Sequence, residues 1–284
     1  MAAIRRHHPD ASITLLSTDP YAGWLAEAPW FDHVWSGGRP PWWDVAALLR
    51  LRRRLIAGGF RRVYDLQTSG RSSRYLRLFP RSARPEWSGI APGCSHPDRQ
   101  PDRGRMHDID RQVGQLRQAG ITDVPPGDLS WSRADLARFA LPDRFALLVP
   151  GSSAHRPGKR WPAAQYARLA ATLAARGITP VVLGAASEGP LAAAIAQGSG
   201  ARDLTGRTGF ADLAALGRAA EVAVGNDTGP MHLLAAAGCR AVVLFSRESD
   251  PALCAPRGGV VTVLRRADLA TLPAEEVLAA ALPE

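Results

Sequence analysis

Lysine is all but missing from this chain: of its 35 lysine and arginine residues, only Lys159 is a lysine. An arginine bias can come from base composition alone. The single exception suggests a position where a compact ammonium suits and a planar guanidinium does not. Cysteine is scarce as well. Cys94, Cys239 and Cys254 are far apart and odd in number, so they make neither a CxxC pair nor a disulfide framework. They read as free thiols in a reducing compartment. No apolar run approaches the roughly 20 residues that span a bilayer. The first six residues, Met1-Ala2-Ala3-Ile4-Arg5-Arg6, lack the apolar segment of a signal peptide. A cytoplasmic protein is expected.

Missing motifs narrow the function. No G-x-G-x-x-G follows an expected strand, which argues against a nicotinamide-dependent oxidoreductase, and the GxxxxGK[ST] phosphate loop is absent too. Neither zinc-finger spacing nor an aromatic-interleaved RNA motif accompanies the basic residues, so a nucleic-acid partner is not expected. What is present is a net charge of +9, nearly all from arginine, which suits anionic partners. The densest clusters are residues 50–54 and Arg61-Arg62, on or beside an expected helix. They read as a solvated helix face, or as one that meets anionic lipid at the inner membrane.

Short β-rich runs alternate with helical stretches, the pattern of α/β units with parallel sheets. At 284 residues the chain divides most naturally into two domains, expected at 1–128 and 129–284 around Pro125-Pro126-Gly127. In the first, strands are expected at 13–16, 34–35 and 62–66, and helices at 45–56, 71–79 and 108–119. Residues 80–106, rich in Pro, Gly and Arg, read as irregular. In the second, strands are expected at 145–149, 180–183, 222–224, 241–245 and 260–264. Helices are expected at 163–176, 190–196, 213–219, 231–237 and 274–281.

Doubly wound folds bind ligands at the carboxyl ends of their strands, so the loops after strands are the informative ones. After 145–149 comes PGSSAHRPGKRWP (150–162), with small residues, the hydroxyls of Ser152 and Ser153, and basic side chains ahead of a helix start. Close-approaching amides, hydroxyl donors and a helix dipole would suit a diphosphate; an ordinary polar loop is the alternative. After 180–183 comes GAASE (184–188). The carboxylate of Glu188 could accept hydrogen bonds from ribose hydroxyls or simply favour a helix N-terminus. After 222–224 comes GNDTGPMH (225–232), a tight turn into a helix that Pro230 suits. Its amides could face a diphosphate, or it could be a capped helix start with a buried histidine.

Together these segments, with LTGRT (204–208) and AAAGCRAVVLFSRESDP (235–251), resemble glycosyltransferase family 9, the ADP-heptose:lipopolysaccharide heptosyltransferases, in order and spacing. The similarity is strongest from about residue 145 onward. It is weaker before, at Tyr64-Asp65-Leu66-Gln67 and around His107 and Gln112. The resemblance implies a GT-B fold, two Rossmann-like domains facing across a cleft, and inverting sugar transfer from a nucleoside diphosphate donor, ADP-heptose, to an anionic glycolipid. Neither a cofactor nor an essential metal is implied. Ser152, Ser153 and Lys159 would contact the donor diphosphate or sugar, Glu188 the ribose, and Leu204, Thr205 and Gly206 the base region. Asp227, Thr228, Gly229 and His232 would complete the pocket, with Lys159 offsetting charge on the leaving diphosphate.

One departure bears on catalysis. The family opens with a strand and a Gly-containing loop carrying an aspartate thought to be the general base. This sequence starts at what reads as the helix after that loop, so its N-terminal domain is expected to be incomplete. Asp65 is the acid that could substitute as base, though a structural aspartate is the alternative. Arg71 and Arg74 could bind an acidic acceptor or be exposed helix arginines. A nucleotide-sugar-binding protein that has lost its base is therefore the competing expectation.

Overall fold

A computed structural model of the chain describes residues 1–153 and 155–283; Ala154, in the 150–162 loop, and Glu284 lie outside the described residues. Contacts divide the chain into two units, Met1–Pro125 and Pro126–Glu284, with the division inside the Pro125-Pro126-Gly127 stretch.

In the first unit, α1 (Ala2–His7) leads to β1 (Thr14–Leu16), α2 (Asp19–Leu25), β2 (His33–Trp35) and α3 (Val45–Ala57). Then follow β3 (Arg62–Tyr64), α4 (Gly70–Arg74), β4 (Glu86–Gly89), β5 (His96–Pro97) and α5 (Asp108–Gln118). Every strand pair is parallel, but the strands form two separate pieces, β1-β2 and β3-β4-β5. α3 starts where the Asp44 carboxylate accepts the Ala47 N–H, leaving Leu51 and Leu55 to bury against Tyr75, Phe79 and Trp87. Residues 80–106, expected to be irregular, hold β4 and β5. These strands are short, and their Pro and Gly content hid them. The helix expected at 71–79 begins at Gly70 and tightens into a 3₁₀ turn from Tyr75 to Leu78, ahead of Pro80.

The second unit runs β6 (Phe145–Val149), α6 (Ala163–Ala175), β7 (Thr179–Val182), α7 (Gly189–Ala196), β8 (Arg202–Asp203) and α8 (Phe210–Ala219). It continues with β9 (Val222–Asn226), α9 (Gly229–Ala236), β10 (Ala241–Phe245), α10 (Pro251–Cys254), β11 (Val261–Arg265) and α11 (Ala274–Ala281). Its six strands are parallel in the order β11-β10-β9-β6-β7-β8. Strands β6, β9 and β10 are buried along their whole length, as near-continuous apolar runs in a two-faced sheet should be. The pleat sends Ala146 and Leu148 to the face covered by α6, α7 and α11. Leu147 and Val149 go to the face covered by α8 and α9.

This strand order decides where a ligand can sit. From the middle of the sheet, β6 is followed outward on one side by β7 and β8, while β9 returns to its other side. The connections therefore diverge between β6 and β9, the topological switch point where doubly wound sheets open a crevice. The loops after those two strands carry Lys159 and Asp227.

Candidate functional site

Asn226, the last residue of β9, holds the two loops together. It is a fully buried amide in an otherwise apolar strand. Its Oδ1 accepts the backbone N–H of Trp161 at 3.0 Å and lies 3.3 Å from the Tyr166 hydroxyl. Its Nδ2 donates to the Pro150 carbonyl at 2.7 Å. The 150–162 loop is thus bound at both ends to the end of β9. The side chain of Trp161 closes the underside, donating its indole N–H to the Leu272 carbonyl at 2.9 Å.

On that frame Lys159 Nζ reaches Asp227 Oδ2 at 2.6 Å, with side chains only 13% and 8% exposed. His232, at the end of the first turn of α9, stands on the other carboxylate oxygen, Nε2 at 3.8 Å from Oδ1. Burial pushes the Asp227 carboxyl up, but His232 and Lys159 together outweigh it and bring the group down to about 2. The carboxylate is therefore charged at any physiological pH. Gly225 lets α9 pack this close, since a Cβ there would meet Met231 Sδ at 2.6 Å and Val149 Cβ at 2.7 Å. At the start of α9, Gly229 faces open space and Thr228 occupies the N-cap position without a side-chain cap. Pro230 has no N–H and the Met231 N–H donates to the Thr228 carbonyl at 3.1 Å, so the start of α9 brings the Gly229 N–H and the positive end of the helix dipole beside the Lys159–Asp227 pair.

The neighbouring loops form a second cluster on the same rim of the sheet. Glu188 Oε2 accepts the Ala185 N–H at 2.8 Å, the helix-start role. The same carboxylate also lies against the β6 loop, because a Cβ on Gly151 would fall 1.8 Å from Oε1. Gly206 donates its N–H to the Gly184 carbonyl at 2.8 Å, and Thr205 is turned by Asp203, which accepts from its N–H and its hydroxyl. Ser152 accepts from Arg160 Nε at 3.2 Å, while Ser153 is exposed. So Lys159, Asp227 and His232 come together around one carboxylate. Glu188, Thr205 and Gly206 gather beside Gly151 and Gly184.

Asn226, Arg160 and Glu248 were not singled out from sequence. Glu248 faces Gly158, where a Cβ would sit 2.4 Å from its Oε1. A signal for Asn226 existed, a polar residue closing an apolar strand. Arg160 and Glu248 gave none.

In the first unit, Asp65 is 7% exposed, just beyond β3. Its carboxylate accepts the Thr68 N–H at 3.0 Å and faces the Ser73 hydroxyl at 3.4 Å. Burial pushes the carboxyl up, and these hydrogen bonds offset only part of the rise. Thr68 adopts a left-handed backbone conformation, φ +44°, to close that turn. Arg71 donates to the Pro40 carbonyl at 2.7 Å, and the guanidinium groups of Arg71 and Arg74 lie 5.0 and 5.6 Å from the Trp42 ring centre. Arg74 is exposed.

Solved structures share this architecture. ADP-heptose lps heptosyltransferase II of E. coli matches with a TM-score of 0.78 at 20% identity, over 98% of this chain and 91% of that one. A glycosyl transferase family 9 protein of Veillonella parvula DSM 2008 matches with 0.84 at 20% identity, over 99% and 90%. E. coli heptosyltransferase WaaC with ADP matches with 0.75 at 20% identity, over 97% and 91%. No curated protein matches the chain in sequence. These likenesses define an α/β glycosyltransferase fold of the GT-B type, built from Rossmann-like units. The family model of glycosyltransferase family 9 (heptosyltransferase) matches residues 48–276, and the chain belongs to that family.

Proposed function

We propose that the chain is an inverting glycosyltransferase that moves a heptose-like sugar from ADP-heptose to a lipopolysaccharide core or a related surface glycan. One observation carries the reading: an ammonium and a carboxylate meet at 2.6 Å at the switch point of the second unit, beside the open start of α9. A diphosphate lying over that helix start would meet the Gly229 N–H, the Thr228 hydroxyl, His232 and the hydroxyls of Ser152 and Ser153. Asp227 keeps the Lys159 ammonium aimed at the site. Glu188 would take the ribose, and Thr205 and Gly206 would border the base.

The reaction needs charge stabilisation more than covalent help. As the acceptor hydroxyl attacks the anomeric carbon from the face opposite the diphosphate, negative charge grows on the departing phosphate oxygen. Lys159 offsets it in a setting poor in water, where such a term is worth most. Asp65 would take the hydroxyl proton, and its raised pKa suits a base that must hold a proton briefly. Arg71 and Arg74 would receive an anionic acceptor. An acceptor carried by a lipid would bring the chain to the inner face of the cytoplasmic membrane. The exposed Trp42, Trp43, Val45 and Leu49, beside exposed Arg50, Arg52 and Arg53, support that contact. Among the described residues no helix is long and apolar enough to cross a membrane.

A second reading, a nucleotide-sugar-binding protein without turnover, is favoured by the Asp65 carboxylate being engaged with its own loop. Incubating the chain with ADP-heptose and Kdo-bearing lipid A separates the two. Sugar transfer with ADP release supports the first. ADP binding by calorimetry without release supports the second. Neither binding nor release would defeat both.

A further inference from the structure

Among the described residues, Thr68 is one of only two other than glycine with a positive φ, and it is β-branched, the kind of side chain this conformation strains most. A glycine would close the turn after β3 without strain. What glycine lacks is the hydroxyl, and here the hydroxyl has a partner. Arg103, 35 residues further on, donates from its guanidinium to Thr68 Oγ1. The N–H of the same threonine donates to the Asp65 carboxylate at 3.0 Å. Arg103 therefore reaches Asp65 through a single residue.

This arm has a firm seat. Arg103 Nε donates to Asp98 Oδ2 at 2.7 Å, and the Asp98 side chain is fully buried. The Asp98 N–H donates to the Gly89 carbonyl at 2.8 Å, at the end of β4, and the Asp65 N–H donates to the neighbouring Ser88 carbonyl at 2.9 Å. Gln100 Nε2 donates to Asp98 Oδ1 at 2.8 Å and to the Arg111 carbonyl of α5 at 2.9 Å. Gly114 lets Gln100 lie close against that helix, since a Cβ there would fall 1.8 Å from its Oε1. The Arg99 N–H adds a bond to Gln118 Oε1 at 2.9 Å. The segment after β5 is thus fixed to both β4 and α5. A strained backbone such as that of Thr68 persists only where its surroundings are this well determined. The charge of the arm is met by Asp98. A guanidinium laid on Asp65 itself would pull that carboxyl down and weaken it as a base, whereas contact through Thr68 fixes the turn and avoids this.

We propose that Arg103, seated on buried Asp98, is a positioning residue for the transfer reaction: through the Thr68 hydroxyl it holds the turn that aims the Asp65 carboxylate. The proposal rests on the reading of Asp65 as the general base. It makes Asp98, Arg103 and Thr68 residues that act through Asp65 and not on the substrate.

The test measures kcat, donor KM and the thermal midpoint with ADP-heptose and Kdo-bearing lipid A. The variants are Thr68→Val, Arg103→Gln and the two combined, each made with Asp65 in place and with Asp65→Asn. Thr68→Val keeps the shape and the N–H, removes the hydroxyl, and leaves the Asp98–Arg103 pair whole. A reacting group displaced by about 1 Å can lose roughly a hundredfold in rate. We expect kcat to fall roughly tenfold or more in Thr68→Val and in Arg103→Gln, with donor KM within a few-fold. The combined variant should be no slower than the slower single one, because one contact is removed twice. Thr68→Ser, which returns the hydroxyl, should recover most of the kcat lost in Thr68→Val. With Asp65→Asn, neither change should slow turnover further. An unchanged kcat in Thr68→Val, even with a lower thermal midpoint, would overturn the proposal and leave Asp65 as the base. Slowing of the same size in the Asp65→Asn chain would do the same. Turnover that ignores Asp65→Asn, or none in the native chain, would defeat the base reading and this role with it. If Arg103→Gln fails to fold, because Asp98 is left buried and unpaired, Thr68→Val and its serine rescue decide alone.

Discussion

Lys159 and Asp227, 68 residues apart in sequence, are joined Nζ to Oδ2 at 2.6 Å, and that contact ties the loop after β6 to the turn after β9. The pair has a pH signature. Asp227 is held at about 2 in the folded chain against an ordinary 3.8. At about 1.4 kcal/mol per unit, this is worth about 2 kcal/mol of folding stability. A carboxyl lowered on folding stabilises fully above its unfolded pKa and loses that contribution as pH falls toward its folded one. The stability gap between the native chain and Asp227→Asn should therefore be constant from pH 7 to about 5 and shrink between about 4 and 2. Urea melts across that range measure it; a gap that persists undiminished at pH 2 contradicts the assignment.

The same pair predicts the behaviour of Lys159. Lys159→Gln removes the ammonium and leaves the buried Asp227 carboxylate short of a partner. We expect ADP affinity to fall roughly tenfold or more, about 1.4 kcal/mol, together with a loss of stability. Lys159→Arg should recover part of the stability but little of the affinity, because a planar guanidinium cannot keep the Asp227 contact and aim a compact charge at a phosphate. Calorimetry with ADP alone suffices. Equal ADP affinity in all three proteins would remove Lys159 from the donor site.

Gly151 and Glu188 make a paired test of the second cluster. A methyl at residue 151 would fall 1.8 Å from Glu188 Oε1, so Gly151→Ala must displace that carboxylate. ADP affinity should fall in Gly151→Ala and in Glu188→Ala. The double variant should be no worse than Glu188→Ala, since the clash and the lost contact are one event. Fully additive losses would mean that Gly151 acts independently of Glu188.

Much of the second unit could be read from sequence because its strands are long, apolar and punctuated by glycine and proline. The 145–149 and 241–245 runs match β6 and β10 residue for residue. β8, with two exposed residues, Arg202 and Asp203, offered no pattern at all. In the first unit the strands are three residues or fewer except β4, and a run of Pro, Gly and Arg covers β4 and β5, so periodicity had little to act on. The residues that come together around Asp227 and beside Gly151 were singled out where a loop followed a clear strand. What could not be read were tertiary facts: Asn226 stitching two loops, Glu248 facing Gly158, and Arg160 bonded to Ser152.

Asp65 separates catalysis from support. Asp65→Asn keeps an oxygen for the Thr68 N–H but cannot take a proton. As a general base its loss should lower kcat roughly a hundredfold or more while the donor KM stays within a few-fold. Its carboxyl is raised by burial, so activity should climb with pH through a pKa above the ordinary aspartate value. A variant that turns over normally but melts earlier would make Asp65 a structural residue.

The first unit carries an apolar and basic face of its own. Trp43 is 84% exposed, and Val45 and Leu49 follow on the exposed side of α3 with Arg50, Arg52 and Arg53. Indole rings settle at the headgroup level of a bilayer, and each nearby arginine adds roughly 1 kcal/mol toward an anionic surface. We expect the chain to sediment with vesicles containing phosphatidylglycerol and to stay in solution with phosphatidylcholine alone, the binding weakening as salt rises. Trp43→Ala should reduce binding at every salt concentration, whereas replacing Arg50 and Arg53 with Gln should flatten the salt dependence. None of these residues lies in the second unit, so ADP affinity should not change in either variant. Binding that ignores vesicle charge would assign the arginines to a solvated helix face, and binding to neither kind of vesicle would leave the tryptophan without a membrane role.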